Sequence, residues 1–414
     1  MSSRRSLTAL FLAVALLKVA LLVAWGDQPL LYDEESYRRA GEALARWLRA
    51  GMPADDVAAL GRIAWHNPGY ASLFGPAALL PGPTGLWIRL LQLGAGLLSG
   101  LLVARFLEPR VGARWAAVGA LALWLHPSML FFGLTLWPVA LATLGTSALL
   151  FAAGRWQAQP DRRDRQWELG LVLAALPFFA GPALFLLPAA GWFAGRGRRG
   201  PIVGPAAALV CAWSLALSLG LGTFVPFDLA GPRNLALGNT EWVSPGRGSL
   251  WGDPEAKAPF LAKLAEDCGT AVDRRRLRCE AEWGPRESLR WVRAHPAQAL
   301  RRAGLRVVET WSPDAFLPRH LADPTVFPPA GRTAEARTAQ ILLAALHVAT
   351  VLGLAVIAWG ALRRPDLRAI LLGLGLWTLP AALTVGMTRM RQPLWPWIVA
   401  GVVLALADRR RRRP

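Results

Sequence analysis

The sequence is poor in several residue types on which common protein classes depend. It has 3 cysteines in 414 residues, too few for a disulfide scaffold, and 27 acidic residues against 46 basic ones. Only Lys18, Lys257 and Lys263 among those basic residues are lysines. It also lacks a P-loop, an HExxH helix, a CxxC pair and a GxSxG elbow. A nucleotide-driven pump, a zinc protease and an α/β-hydrolase therefore find no support.

Long apolar runs are what the sequence has in excess, since 54% of its residues are hydrophobic. Leu7–Trp25, Leu86–Ala104 and Ala339–Leu362 are examples. About 18 or more apolar residues suffice to cross ~30 Å of hydrocarbon as a helix. The sequence therefore predicts an all-α polytopic membrane protein rather than a soluble enzyme or a disordered chain.

Arginine-rich turns between the apolar runs predict the topology. Basic residues concentrate on the cytoplasmic side of membrane proteins, so the net charge of +19 indicates topology rather than nucleic-acid binding. The first run lacks a small-x-small cleavage site before Asp27, which favours a retained first helix. With both termini cytoplasmic, about ten spans are predicted at 7–25, 86–106, 115–133, 136–153, 168–195 (a hairpin broken at Gly181-Pro182), 202–222, 339–362, 367–387 and 393–407.

These spans divide the chain into three regions. Residues 1–222 form an N-terminal transmembrane region whose first external loop is 26–85, residues 223–338 form a larger extracytoplasmic region, and residues 339–414 form the last helices and a basic tail. If 223–338 is exported, Cys268 and Cys279 are expected to pair.

Two external stretches have the periodicity of amphipathic helices that lie on a membrane surface. In 36–50 the apolar face is Tyr37, Ala40, Leu44, Trp47 and Leu48. In 296–311 it is Leu300, Ala303, Val307, Val308 and Trp311.

Three consecutive carboxylates, Asp33-Glu34-Glu35, follow the first apolar run. Such a cluster suits a general base, a metal ligand or an acceptor for sugar hydroxyls. The alternative is that the acids only stabilise the N-terminus of the helix that follows, where the dipole is positive.

Two further candidate sites are a His-Asn-Pro-Gly-Tyr stretch and an Arg-Met-Arg-Gln-Pro turn. His66 suits either phosphate binding as a cation or orientation of a hydroxyl, or it is an ordinary interfacial histidine. Arg389 and Arg391 lie in a short external turn, against the positive-inside trend. They therefore predict an anionic partner such as a lipid phosphate, with snorkelling to headgroups as the alternative.

These motifs resemble those of the C-type membrane glycosyltransferases (GT-C fold), specifically the protein-mannosyltransferase-like and aminoarabinose-transferase-like enzymes of glycosyltransferase family 39. The family's D-E-x-x-Y after the first span is similar to Asp33–Tyr37, its proline-aromatic segment to His66–Tyr70, and its R-Y-R-x-P to Arg389–Pro393. Between them, Gly238-Asn239, Ser288–Pro296 and Trp311–Pro313 are similar to elements of many bacterial members. The lysine of the family's K-P-P is missing before Pro68, and the 134–138 turn lacks the usual acidic residue.

The resemblance implies an enzyme that moves a sugar from a polyprenyl-phosphate donor to a lipid, glycan or protein acceptor at the outer face of a bacterial-type inner membrane, with inversion. Asp33 would be the general base and Glu34 a second catalytic carboxylate. Tyr37, His66, Asn67, Tyr70, Arg389 and Arg391 would bind substrate. It implies a bundle with external amphipathic helices and no organic cofactor; a divalent-metal requirement stays open and no metal ligand is assigned. The alternatives are a polysaccharide polymerase or ligase, a lipid or oligosaccharide flippase, and a non-catalytic partner in envelope polysaccharide assembly.

Overall fold

A computed structural model gives the structure of the protein and describes residues 2–25, 33–50, 61, 64–250, 253–271, 273–326 and 331–411. Within these ranges all regular structure is helical, which confirms the all-α prediction. In chain order the α-helices are α1 (Ser2–Trp25), α2 (Asp33–Ala50), α3 (Pro68–Ala77), α4 (Thr84–Val111), α5 (Ala113–Trp124), α6 (Pro127–Leu134), α7 (Val139–Ala158), α8 (Arg163–Ala175), α9 (Leu186–Ala194), α10 (Arg199–Leu221), α11 (Ala230–Gly238), α12 (Pro254–Cys268), α13 (Arg274–Ala294), α14 (Pro296–Trp311), α15 (Phe316–Ala322), α16 (Thr333–Ala361), α17 (Pro365–Leu383), α18 (Thr388–Arg391) and α19 (Trp395–Arg411).

Six helical segments of the described chain are long and apolar enough to cross a membrane: α4, α7, α10, α16, α17 and the segment Thr388–Ala407. A seventh is present if α5 and α6, which meet at an angle of 53°, form one bent span. This supports a membrane-embedded protein, but the ten predicted spans are not confirmed.

The shortfall comes from α1 and the 168–195 hairpin. The apolar part of α1 covers Thr8–Ala24, and the second arm of the hairpin covers only Gly181–Ala194. The predicted break at Gly181-Pro182 is present as a 3₁₀ turn over Gly181–Phe185. A proline cannot donate the backbone hydrogen bond that a continuous helix needs, so the hairpin divides into pieces too short to span on their own.

The bundle has inner helices and outer helices. In the most apolar 18 residues of each helix, the buried share is 78% for the Thr388–Ala407 segment. It is only 17% for α10 and 22% for α16. Outward leucines such as Leu219 on α10 and Leu352 on α16 are exposed. Apolar helices that are exposed over most of their length are what a lipid environment accommodates.

Basic side chains gather at one end of the bundle. There Arg110 donates to the carbonyl of Gly154 at 3.5 Å, and Arg155 pairs with Glu168 at 2.9 Å. Arg198 and Arg364 form further ion pairs at that end. The long helices run from this basic end to the end that carries Asp33 and Arg389, so the charge asymmetry of the sequence becomes an asymmetry of the fold.

The two predicted amphipathic helices behave differently. On α14, Leu300 is 77% exposed and Val308 66% exposed, while Arg306 on the opposite face is 2% exposed. Leu300 and Val308 of the predicted apolar face are therefore exposed, whereas Arg306 of the polar face is held by the protein.

The apolar face of α2 is covered by protein where it is described. Tyr37 and Ala40 are buried, and Gly41 packs so closely on Phe74 of α3 that a Cβ there would overlap it. The prediction that 36–50 lies on the membrane therefore holds only in part, because α3 occupies the face instead. The side chains of Leu44, Trp47 and Leu48 lie outside the described residues.

Cys268 at the end of α12 and Cys279 on α13 form a disulfide, with their Cα atoms 5.5 Å apart. The expected pairing is therefore confirmed. Because this bond persists in oxidising compartments, it agrees with export of the segment between α10 and α16.

Candidate functional site

The three carboxylates at the start of α2 point to different partners. Asp33 Oδ2 pairs with Nη1 of Arg389 at 2.9 Å, and Glu34 Oε1 accepts a hydrogen bond from the backbone N–H of Leu136 at 2.5 Å. Glu35 pairs with Arg38 and Arg39 on its own helix. Successive helical residues are rotated by about 100°, so adjacent acids necessarily face different surroundings.

The Asp33–Arg389 ion pair joins residues that are 356 positions apart. Arg389 comes from α18, in the connection before the last helix, and its guanidinium lies 5.0 Å from the ring of Trp137 and 5.9 Å from that of Phe316. Both partners are partly accessible, with 34% of the Asp33 side chain and 18% of the Arg389 side chain exposed. The pair is therefore held firmly and still reachable by a ligand.

Tyr37 lies one helical turn after Asp33 and therefore on the same face of α2. Its ring contacts those of His66 and Tyr70, with centroid distances of 4.3 Å and 4.9 Å. Asn67 donates to the Tyr37 hydroxyl at 3.5 Å. Burial raises the pKa of Tyr37, so its hydroxyl stays protonated. The D-E-x-x-Y spacing and the His66–Tyr70 segment thus form one wall beside Asp33.

His66 is a neutral hydrogen-bonding group. Burial lowers the pKa of His66 to about 4, although the charge of Asp33 acts in the opposite direction. Its Nε2 lies 2.5 Å from the hydroxyl of Ser36. Of the two roles predicted for His66, the structure favours orientation of a hydroxyl over binding of phosphate as a cation.

Tyr70 and Glu34 hold the protein together around the site. The Tyr70 hydroxyl donates to Gln92 Oε1 at 2.6 Å inside the core. Gln92 in turn donates to the carbonyl of Thr135, and Arg89 donates to that of Leu134. The turn between α6 and α7 has no acid of its own, and the buried carboxylate of Glu34 contacts it through Leu136. Glu34 therefore positions the turn between α6 and α7 through the backbone of Leu136.

A second wall of the site comes from residues that sequence reasoning did not single out. Asp228 follows α10, and burial raises the pKa of its carboxyl to about 6 despite hydrogen bonds from the backbone of Gly231 and Ala230. The negative charge of Asp228 acts on Tyr37. The neighbouring Leu229 N–H donates to the carbonyl of Ala64 at 2.8 Å, which fixes this connection beside the His66 segment.

Two cations belong to the same wall. Arg233 on α11 lies 4.8 Å from the ring of Trp65, next to His66. Lys257 on α12 interacts electrostatically with both Arg233 and Asp33, and burial lowers its pKa. The available signal for Asp228 was its place directly after an apolar helix, the same position that singled out Asp33.

Arg391 is separated from Arg389 although only Met390 stands between them. Arg391 is 3% exposed and its Nη1 donates to the carbonyls of Thr310 and Ser312. The two arginines leave the short helix α18 in different directions. The two guanidinium groups therefore do not meet at one point, and the anionic partner expected for them stays a prediction.

The Gly238-Asn239 and Trp311-Ser312-Pro313 motifs have structural contacts. Asn239 Oδ1 accepts from two nitrogens of Arg306, and its Nδ2 donates to the carbonyl of Leu383. Trp311 Nε1 donates to the hydroxyl of Thr378 on α17 at 3.3 Å. These motifs fasten the external helices to the last spans rather than line the Asp33 site.

The described residues contain no group of three or more His, Cys, Asp or Glu side chains placed to hold a metal ion. Comparison of the chain with models of protein families, with characterised proteins and with solved structures finds no match. The functional interpretation therefore depends on the geometry described above.

Proposed function

We propose that the protein is an integral-membrane glycosyltransferase that moves a sugar from a polyprenyl-phosphate donor to an acceptor at the extracytoplasmic face of a bacterial-type plasma membrane. The supporting observation is the Asp33–Arg389 pair, which sets a carboxylate and a guanidinium 2.9 Å apart among Tyr37, His66 and Asn67. The motifs that resemble those of the GT-C family assign the same residues to catalysis and substrate binding.

The proposed reaction is a single inverting displacement. Asp33 accepts the proton of the acceptor hydroxyl. At the same time the oxygen of that hydroxyl forms a bond to the anomeric carbon of the sugar. The bond from that carbon to the phosphate oxygen breaks, and polyprenyl phosphate leaves with the bonding electrons. An arginine of the 389–391 turn would stabilise the departing phosphate, and Asp228 and Lys257 would bind hydroxyls of the sugar or the acceptor.

The orientation is part of the proposal. The basic end of the bundle would face the cytoplasm together with both termini, because arginine-rich connections stay on that side. The Asp33 end and the disulfide-bonded α12–α13 unit would then face outward, where an oxidised cystine persists.

Asp33→Asn tests the proposal. The substitution keeps the shape of the side chain and removes the proton acceptor, so turnover should fall about 10²–10⁴-fold. The measurement is release of polyprenyl phosphate from a panel of polyprenyl-phosphate hexoses and pentoses by purified protein, with thermal melting as the check on folding.

Two neighbouring acids supply matched controls. Glu34→Gln keeps an oxygen that accepts from Leu136, and Glu35→Gln changes an acid whose partners are on its own helix, so both variants should retain most activity. An Asp33→Asn enzyme as active as the wild type would contradict the catalytic assignment.

Transport is the second candidate, because charged side chains lie buried inside the bundle. Lys18 on α1 is 2% exposed, and Arg391 and Asp314 are also buried. A flippase would move a fluorescent polyprenyl phosphate across reconstituted vesicles without chemical change, and Asp33→Asn would leave that movement intact.

A further inference from the structure

A second group of polar side chains lies inside the bundle, apart from the Asp33–Arg389 pair, and is centred on Asp314. This carboxylate is 4% exposed. Its oxygens accept hydrogen bonds from the Ser128 hydroxyl, the Thr388 hydroxyl, the Gln392 amide and the Phe316 backbone N–H, at 2.6–3.3 Å. Four neutral donors fill the acceptor positions of a carboxylate.

Arg391 is the cation of this group. Asp314 attracts it electrostatically, yet the part of the chain that the structure describes contains no ion pair to Arg391 within 4.0 Å. Its Nη1 donates to two backbone carbonyls, and its buried Nε–H has no acceptor among the described residues. Arg306 is the contrast, because all three of its nitrogens donate to oxygens. A buried guanidinium with an unfilled donor is costly unless something else completes it.

His126 supplies a second unfilled donor. The backbone N–H of Ser128 donates to His126 Nδ1 at 3.2 Å, so this nitrogen carries no proton and the proton of the neutral ring is on Nε2. Nε2 is buried with no hydrogen-bond partner in the part of the chain that the structure describes, and His126 is 8% exposed. The ring lies 3.9 Å from that of Trp395, whose Nε1 donates to Gln392 of the same group.

His347 extends the group toward the outside of the bundle. It lies on the outer helix α16, and its Nδ1 is a third buried nitrogen for which the described residues supply no hydrogen-bond partner. Arg391 is the charged neighbour of both histidines. Beyond His347 the face of α16 is apolar and exposed, with Val348, Val351 and Leu352.

We infer that His126 and Arg391, with His347 beside them, form a binding site for a phosphoryl group on a polyprenyl chain. The two unfilled N–H donors call for acceptor oxygens, and the unpaired guanidinium calls for negative charge, which a water molecule would not bring. The exposed apolar face of α16 gives the chain a path into the lipid. The inference rests on the proposed function and deepens it, since it assigns the donor phosphate to Arg391 and leaves Arg389 to orient Asp33.

The test is binding of radiolabelled farnesyl phosphate to the full-length protein in detergent. His126→Phe keeps an aromatic ring on Trp395 and removes the donor, so the Kd should rise about tenfold or more. Arg391→Gln should weaken binding at least as much. His295→Phe is the matched control, because His295 also stacks on a tryptophan, Trp291, but lies exposed at the junction of α13 and α14. Its Kd should stay within twofold of the wild type.

Competition experiments identify the source of the phosphoryl group. Farnesol and inorganic phosphate should compete poorly, and dioleoyl phosphatidic acid should compete less well than farnesyl phosphate. Equal competition by phosphatidic acid or by inorganic phosphate would overturn the assignment to a polyprenyl phosphate. An unchanged Kd in His126→Phe, or a loss of binding confined to Arg389→Gln, would overturn the site itself.

Asp33→Asn separates this inference from the proposed function. The variant should bind farnesyl phosphate like the wild type while it loses transfer. A wild-type protein that binds through His126 but transfers no sugar from the donor panel would refute the glycosyltransferase and leave the phosphoryl site standing.

Discussion

At the scale of single residues, neighbouring groups of the same chemistry acquire different properties from their surroundings. Asp33 meets a guanidinium from the other end of the chain, whereas Glu35 meets arginines of its own helix. The hydrogen bond from Arg38 is the main reason that the pKa of Glu35 falls to about 2. Among the described residues no arginine forms an ion pair with Asp228, and burial raises the pKa of its carboxyl to about 6. The pKa of each of these two carboxyl groups therefore depends on the groups that pack against it.

His66 gives a prediction about pH. Its pKa in the folded protein, about 4, lies below the ordinary value of 6.5. Between pH 6.5 and 4 the unfolded chain therefore takes up a proton that the folded protein excludes, and stability falls as the pH falls through this window. His66→Gln should show a smaller drop in Tm between pH 7.5 and pH 4.5 than the wild type.

Asp228 acts with the opposite sign, because its raised pKa makes stability fall as the pH rises from about 4 to about 6. Since Asp228 is present in both proteins, its effect cancels in the comparison. Identical pH dependence of the wild type and His66→Gln would show that His66 is not buried as described.

At the scale of helices, α14 shows that an amphipathic pattern does not say which face the protein covers. Arg306 of its polar face points into the protein, where it donates to the carbonyls of Gly238, Gly248 and Ala382, and burial lowers its pKa to about 10. Arg302 donates to the carbonyls of Thr240 and Val243. Backbone carbonyls of the connection after α11 thus take the place of acidic partners.

The end of α11 gives a prediction about packing. A Cβ at Gly238 would overlap the carbonyl oxygen of Thr384 and crowd Arg306. Gly238→Ala should therefore destabilise the protein by about 1–3 kcal/mol or prevent its accumulation, because neither the backbone carbonyl nor the filled guanidinium can move away.

Gly375→Ala is the control for that substitution. Gly375 lies in α17, and a Cβ there meets open space, so the change should leave the Tm equal or slightly higher. Equal melting temperatures for Gly238→Ala and the wild type would contradict the close approach of α11 to the end of α17.

At the scale of the whole molecule, the Cys268–Cys279 disulfide gives a test of whether the region between α10 and α16 is exported. Denatured, unreduced protein should contain one free thiol, Cys211, and reduction should release two more. The bond closes a short loop, for which about 2–3 kcal/mol of stabilisation is typical. Three free thiols before reduction would rule out the pair in the protein as it is made.

The orientation in the membrane has a direct test. In a Cys211→Ser background, an impermeant maleimide applied to intact cells should label Glu241→Cys, beside α11 at the Asp33 end. It should not label Arg163→Cys, at the basic end; both positions are exposed. Labelling of Arg163→Cys alone would invert the topology and place Asp33 in the cytoplasm.

Periodicity and composition were sufficient for the elements that depend on local sequence. The apolar runs become helices in a membrane-type bundle, the Gly181-Pro182 break is present, and 296–311 is one helix, because hydrophobic length, proline and amphipathic spacing act over a few turns. The predicted number of ten spans is not confirmed, since six or seven segments of the described chain are long and apolar enough to cross a membrane.

The sequence by itself determined which residues were candidates, and the tertiary structure decided which of them meet. Asp33, Tyr37, His66 and Asn67 are close along the chain, so one motif could identify them together. The packing of α2, α10 and α18 decides the rest. It brings Asp33 into contact with Arg389, separates Arg389 from Arg391 and places Asp228 near Tyr37. No local pattern encodes these positions, because they arise from the packing of helices that lie far apart in the sequence.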